Sequence, residues 1–222
     1  MIPPKEQLKK AIEEVGKFVN QRITEFKSLK IKNLTTFDFR PFLNIEPYDA
    51  DIFSEACFCI LTANSSASLG IKIQKEVGIE GFHTYSLEQL YEIISSKGHR
   101  FAMQRAERIV LLREKEPLLL EVAKYEDGKK AREILVKEIH GYGYKEASHF
   151  LRNIGFDDVA IIDRHISRWL FEHGLVKPRK TITKKVYIEA EEALKKIATD
   201  FGLTLAQLDL YIFYIKTKKV LK

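Results

Sequence analysis

The chain has 222 residues, of which 45% are hydrophobic and 31% charged, a balance typical of a soluble globular protein and unlike that of a disordered chain. Its 37 lysines and arginines outnumber its 31 aspartates and glutamates, and the net charge of +6 permits a polyanionic partner without requiring one. There is no run of about eighteen uncharged apolar residues, and the N-terminus is too charged for a signal peptide, so we expect a cytoplasmic protein that does not bind a membrane.

The two cysteines, Cys57 and Cys59, cannot work as a pair if they lie on a helix. Residues two positions apart on a helix point about 200° away from each other, which rules out a shared metal ion or a mutual disulfide. Two cysteines are also too few for a four-cysteine iron–sulfur cluster or zinc site. We therefore expect buried thiols, no cofactor and no metal site.

Apolar residues recur at spacings of three and four along most of the chain, and this pattern predicts an all-α fold. The first helix is predicted from Lys5 to Phe26, and an irregular stretch with prolines at 41 and 47 follows it. Asp49 or Asp51 caps the next helix, DIFSEACFCILTA. Residues 64–66 interrupt the pattern, which resumes in SASLGIKIQKEVG and ends in a turn bracketed by Gly78 and Gly81.

The second half of the chain has clearer helix boundaries. Capping boxes at Ser86 with Gln89 and at Thr204 with Gln207 begin the helices LEQLYEIISS and LAQLDLYIFYIKT. The segment HRFAMQRAERIVLLREKE predicts a long basic helix, and we expect its arginines at 100, 105, 108 and 113 to help bind phosphates. Further helices are predicted for AREILVKEI, KEASHFLRNIG, RHISRWLFEH and TKKVYIEAEEALKKIATDFG, with a loop from Gly174 to Lys180.

The segment HGYGY at 140–144 joins two predicted helices and forms a helix–hairpin–helix motif at about 128–154. Glycines in such a turn let backbone N–H groups approach a surface closely. They also leave the N-terminus of the second helix open to an anion, and a DNA phosphate fits that description. We expect the hairpin to contact DNA through Gly141, Gly143 and Tyr144.

Lys145 opens the helix after the hairpin, and Asp163 follows the apolar segment VAII just before the next helix. A lysine amine can attack C1′ of a nucleotide, displace the base and form a Schiff base with the opened sugar. A carboxylate stabilises the cationic sugar that develops as the base leaves. We predict these catalytic roles for Lys145 and Asp163. Taken singly, a solvated lysine and a helix-capping aspartate are the alternative interpretations.

The segments GYGYKEA and AIIDRHI resemble the helix–hairpin–helix DNA glycosylase superfamily, in which a lysine directly after the hairpin marks glycosylases that are also lyases. Within it the chain most resembles the archaeal-type 8-oxoguanine DNA glycosylase/AP lyases. That likeness rests on ILTANSSA, HRFAMQRAERI and LDLYIFYIKTKKVLK, and covers the chain from about residue 50 onward. It implies one helical fold over 1–222, made of two packed lobes with the motif at their junction.

The resemblance also implies roles for residues outside the motif. Asn64 would fill the gap left by the flipped base, with a helix N-cap as the alternative. Phe101, Asp209 and Phe213 would form the pocket for the damaged base, although the family often has tryptophan at the position of Phe213. Lys222 would take part in base recognition, with a frayed basic tail as the alternative.

These features predict a monomeric bifunctional glycosylase/AP lyase that acts on double-stranded DNA containing 8-oxoguanine. Two alternatives remain open. One is the same chemistry on oxidised pyrimidines, as in relatives of endonuclease III, and the missing cysteines count against it. The other is a non-catalytic helix–hairpin–helix DNA-binding module, in which the pairing of Lys145 with Asp163 would be accidental.

Overall fold

A computed structural model describes residues 3–177 and 181–222, and within those ranges the chain is mostly helical, which confirms the all-α prediction. Residues 178–180, at the end of the loop predicted from Gly174, lie outside the described residues. The elements are α1 (Pro4–Lys32), β1 (Thr35–Phe37), β2 (Tyr48–Ala50), α2 (Ile52–Thr62), α3 (Ala67–Thr84), α4 (Leu87–Ser96), α5 (Ala102–Leu112), a 3₁₀ helix (Arg113–Lys115), α6 (Glu116–Val122), α7 (Gly128–Glu138), α8 (Tyr144–Asn153), α9 (Arg164–Glu172), α10 (Lys184–Phe201) and α11 (Leu205–Thr217).

Three boundaries differ from the sequence predictions. The first helix continues past its predicted end at Phe26 to Lys32. The long basic helix is divided, because α5 ends at Leu112 and Pro117 lies in the first turn of α6, where a missing N–H breaks no helical hydrogen bond. The turn predicted between Gly78 and Gly81 is present as a kink at Gly78. Gly78 has a positive φ of 67° and non-helical backbone angles that interrupt α3, and the helix resumes and continues through Gly81 to Thr84.

The caps were predicted more accurately than the helix lengths. Asp51, and not Asp49, begins α2: its carboxylate accepts from the backbone N–H of Ser54 at 2.7 Å, and the Ser54 hydroxyl accepts from the N–H of Asp51 at 2.9 Å. Asp49 instead lies opposite Thr36 in the two-stranded antiparallel ribbon of β1 and β2. Both predicted capping boxes, at Ser86 and at Thr204, are present.

The helices pack in two groups, and α8 contacts both. In the first group α2 packs against α3, α5 and α6, and α4 packs against α3 and α5. In the second, α11 packs against α1, α9 and α10, while α8 contacts α2 on one side and α1 on the other. Every residue of α2 is buried, including the carboxylate of Glu55 among its mostly apolar side chains. In the described part of the chain no helix is long and apolar enough to cross a membrane.

A buried ion pair joins the helix–hairpin–helix motif to α10. The guanidinium of Arg132 on α7 donates to both carboxylate oxygens of Glu191, at 2.6 and 2.8 Å, and both side chains are almost fully buried. Glu191 also accepts from the backbone N–H of Ala160 at 2.9 Å. The pair therefore fixes α7, α10 and the segment that leads to Asp163 relative to one another.

Glu191→Ala should destabilise the protein by about 3–5 kcal/mol, because it leaves the buried Arg132 charge without a partner. The measurement is urea unfolding at neutral pH. Glu192→Ala is the matched control: it removes an adjacent carboxylate that pairs with Lys129 at 2.9 Å on the surface. The control substitution should lower the free energy of unfolding by at most about 1 kcal/mol. Equal losses in the two variants would contradict the importance of the buried pair.

Candidate active site

A cavity of about 900 Å³ gathers most of the side chains predicted for the site. Its lining includes Asn64, Phe101, Lys145, Asp163, Asp209, Phe213 and Lys222. These residues come from distant parts of the sequence and meet between α2, α8, α9 and α11. A volume of this size lies within the range of pockets that bind small organic groups.

Lys145 is held at the cavity by its neighbour on α8. Its ammonium lies 3.5 Å from a carboxylate oxygen of Glu146, and its side chain is about one-third exposed. The second oxygen of Glu146 accepts from the backbone N–H of Gly143 at 3.3 Å. Glu146 therefore links the lysine to the hairpin, a role that the sequence analysis missed.

Asp163 both caps α9 and faces the cavity. One of its oxygens, Oδ1, accepts from the backbone N–H groups of His165 at 2.8 Å and Ile166 at 2.9 Å. Among the described residues no hydrogen bond is made to Oδ2. The capping interpretation is therefore correct, and it leaves one carboxylate oxygen available to a group in the cavity.

Two aromatic side chains form part of the cavity wall. Phe213 is half-buried and meets His165 edge to face, with ring centroids 5.5 Å apart. Phe101 is half-buried and has the guanidinium of Arg100 5.1 Å from its ring centroid. Trp169, in contrast, is fully buried in the core.

Asn64 lies at an exposed turn on the edge of the cavity, with a positive φ of 58°. It does not cap a helix, because the Ser66 hydroxyl accepts from the N–H of Leu69 and begins α3. The alternative interpretation of Asn64 is therefore wrong. The carbonyl of Ala63, directly before the turn, accepts a hydrogen bond of 2.6 Å from the buried Arg105.

Two of the four arginines expected at phosphates have structural partners instead. Arg105 is buried beneath the Asn64 turn, and Arg113 donates to the carbonyls of Phe82 and Tyr85 at 2.9 and 2.6 Å. The expectation was wrong for these two, because each guanidinium donates to backbone carbonyls near the ends of neighbouring helices. Of the four arginines, Arg100 and Arg108 therefore remain as candidates for contact with a polyanion.

The hairpin residues do not line the cavity. Gly141 has a positive φ of 88°, which favours glycine, and a Cβ there would lie 2.9 Å from the flexible Arg108 guanidinium. Gly141 and Gly143 are exposed. The Tyr144 hydroxyl donates to Glu133, and its ring packs near Tyr187, so its side chain is directed towards α7 and α10.

Behind the cavity runs a chain of buried polar groups. Arg152 on α8 donates to Asp209 on α11 and, at 2.9 Å, to the side chain of Asn153. Asn153 donates to Glu55 on α2 at 2.6 Å. Glu55 in turn accepts from the ammonium of Lys222 at 2.6 Å. The sequence analysis missed Arg152, Asn153 and Glu55, although Arg152 lies seven positions after Lys145 and so on the same helical face.

Lys222 is only 4% exposed, so the frayed-tail interpretation is wrong. Its ammonium donates to Glu55 and to Gln74 and lies 3.9 Å from the ring centroid of Phe37. Burial lowers the pKa of Lys222 to about 8, although the charge of Glu55 opposes that shift. The ammonium is thus engaged in the interior, and any contact with a bound base is left to the backbone of this residue.

Known proteins resemble this chain in sequence and in fold over nearly its whole length. The family model described as 8-oxoguanine DNA glycosylase matches residues 19–203. An 8-oxoguanine DNA glycosylase/AP lyase from Aquifex aeolicus is 58% identical over 98% of each chain. The crystal structure of the Methanocaldococcus jannaschii glycosylase/lyase with a 15mer DNA containing 8-oxoguanine is 46% identical and covers 98% of each chain, with a TM-score of 0.85. The Thermotoga maritima 8-oxoguanine DNA glycosylase is 40% identical, covers 98% of this chain and 97% of its own, and has a TM-score of 0.85.

Asp209 should make stability fall as pH rises. Burial raises the pKa of Asp209 from its ordinary 3.8 to about 7, and the nearby Asp163 adds to the shift while Arg152 opposes it. The native state therefore keeps a proton that the unfolded state loses between those values, and its stabilisation is lost as pH rises through about 7. Relative to Asp209→Asn, the wild type should lose at most about 4 kcal/mol between pH 4 and 7. Urea unfolding of both proteins across that range tests this, and parallel profiles would contradict it.

Proposed function

The chain belongs to the 8-oxoguanine DNA glycosylase family, and we propose that it is a bifunctional DNA glycosylase and AP lyase that removes 8-oxoguanine from double-stranded DNA. The observation that carries the proposal is that Lys145 and Asp163 line one cavity, next to a glycine hairpin suited to phosphate contact. The A. aeolicus relative, named for both activities and 58% identical, supports the lesion and the lyase step. The activity belongs in the cytoplasm, as the sequence predicts.

Chemistry at C1′ requires the nucleotide to leave the duplex, because the reacting carbon is inaccessible in stacked DNA. The cavity of about 900 Å³ has room for an extruded nucleotide. Phe101 and Phe213 supply aromatic faces for the base, and Asn64, exposed at its turn, is suited to enter the space that the base leaves. Outside the cavity, Arg100, Arg108 and the hairpin amides would contact phosphates.

Lys145 is the proposed nucleophile. Its amine, once deprotonated, attacks C1′, and the bond from C1′ to the base breaks with its electron pair on the base, which then takes up a proton. Opening of the sugar ring gives an imine between Nζ and C1′. Loss of a proton from C2′ then expels the 3′ phosphate oxygen, which is β-elimination and leaves a nick on the 3′ side of the lesion.

Asp163 is the proposed electrostatic partner. As the base leaves, positive charge develops on the sugar, and a carboxylate already fixed by two backbone N–H groups needs little reorganisation to stabilise it. Its second oxygen faces no hydrogen-bond donor among the described residues, so it is available to the sugar. Capping and catalysis are therefore compatible functions of the one side chain.

The alternatives fit the site less well. A non-catalytic DNA-binding module has no need of a deep cavity with a lysine and a carboxylate in its wall. An oxidised-pyrimidine enzyme would use the same two residues, and the argument against it is the name shared by relatives that are 58% and 47% identical over nearly the whole chain.

Lys145→Gln should lower strand nicking at least about 1000-fold while DNA binding is retained, because glutamine has similar length but no nucleophilic amine. Borohydride trapping on an 8-oxoguanine duplex gives a covalent adduct with the wild type and none with the variant. The matched control is Lys137→Gln, which removes the same charge from an exposed lysine beside Glu138. The control should trap normally, and persistent nicking by Lys145→Gln would rule out its role as nucleophile.

Asp163→Asn should slow base release by about 100-fold or more, because the amide keeps an oxygen for the helix cap but loses the negative charge. Single-turnover release of 8-oxoguanine is the measurement. Asp127→Asn provides the control, since Asp127 caps α7 by accepting from the N–H of Lys130 at 3.0 Å and lies outside the cavity lining. Near-normal release by Asp163→Asn would mean that this carboxylate serves only as a cap.

A further inference from the structure

His149 is a second polar side chain on the face of α8 that carries Lys145. Residues four positions apart on a helix lie one above the other. Both side chains line the cavity, and Arg152 continues the same face three positions later. The chemical steps assigned to Lys145 and Asp163 leave His149 without a function.

The imidazole of His149 is buried without full hydrogen bonding. The residue is only 7% exposed, and its Nε2 atom has no hydrogen-bond partner among the described residues. Its ring is held edge to face against Phe58, with centroids 5.5 Å apart. Buried polar atoms in native proteins are nearly always satisfied, so an unpaired one in a cavity wall indicates a partner that arrives with the ligand.

The charge state of His149 limits what it can do. Burial lowers the pKa of His149 well below its ordinary value, and the charges of Arg152 and Lys145 lower it further, while the backbone of Lys222 works in the opposite direction. The ring is therefore neutral near pH 7, with one nitrogen as a donor and the other as an acceptor. An imidazole whose pKa is lowered in this way is a poor general base. The function that remains for His149 is to bind a ligand in the cavity through a hydrogen bond.

We infer that His149 is a specificity-determining residue whose neutral imidazole forms a hydrogen bond with the extruded base in the cavity. The inference rests on the proposed function, since it requires a base to enter. The N–H of the neutral ring is already used in a hydrogen bond to the backbone of Lys222, so the unpaired Nε2 is left as an acceptor for one of the N–H donors on the edge of an oxidised purine. The contact is lost once the base has gone, so His149 acts on base release and not on the later elimination at the abasic sugar.

Two substrates separate these steps: a duplex with 8-oxoguanine, assayed for base release, and a duplex with a preformed abasic site, assayed for nicking. His149→Leu removes the polar atoms at similar volume. It should lower single-turnover base release at least about tenfold, equivalent to about 1.4 kcal/mol. Nicking at the abasic site should change by less than threefold. His149→Gln, which keeps a donor and an acceptor, should recover most of the lost release.

His173→Leu is the matched control, because His173 also has a buried Nε2 without a partner but packs against Trp169 outside the cavity lining. It should leave base release unchanged. Should His149→Leu fail to fold, His149→Ala should show the same difference between the two substrates. Normal release by either variant, or equal losses on both substrates that His149→Gln does not reverse, would overturn the inference. If the wild type nicks abasic DNA but releases no 8-oxoguanine, the proposed function fails, and the inference fails with it.

Discussion

The site depends on a carboxylate placed in the middle of the most buried helix. Glu55 on α2 is completely buried, and it is tolerated there because one oxygen accepts from Asn153 of α8 and the other from the ammonium of Lys222. A buried charge that loses its partner costs several kcal/mol, so each of these groups holds the others in place. Through Asn153 the same network continues to Arg152 and Asp209, so that the cations of Arg152 and Lys222 lie against the carboxyl groups of Asp209 and Glu55.

Because each of these groups has a hydrogen-bond partner, polar side chains can form the rear of a cavity inside the core. Because α8 contacts both helix groups, its polar face is presented to the cavity while its other faces remain packed. Lys145, His149 and Arg152 therefore stand on a rigid helix whose position is set from two sides. Groups held in this way can act on an extruded nucleotide with little further ordering, which is how a protein lowers the entropic part of a reaction barrier.

Helices and their caps were predictable from local sequence because their causes are local. The spacing of Leu8, Val15 and Val19 identifies α1, and Ser86 with Gln89 marks the start of α4 by hydrogen bonds within one turn. Failures came where a local pattern permits more than one outcome. A glycine permits both a turn that ends a helix and a kink within one, and at Gly78 the structure has the kink.

The sequence by itself determined the all-α class, the glycine hairpin, and the proximity of Lys145 to it, since each follows from spacing along the chain. It also suggested Asp163, because a carboxylate before a helix has a capping function that a pattern reveals. Only the tertiary structure decided that Arg105 and Arg113 donate to backbone carbonyls and that Lys222 is buried. It also decided that the Nε2 atom of His149 lies in the cavity wall without a hydrogen-bond partner among the described residues. The physical reason is that the partner of a long polar side chain is chosen by the packing of elements distant in sequence, and neither periodicity nor composition carries that information.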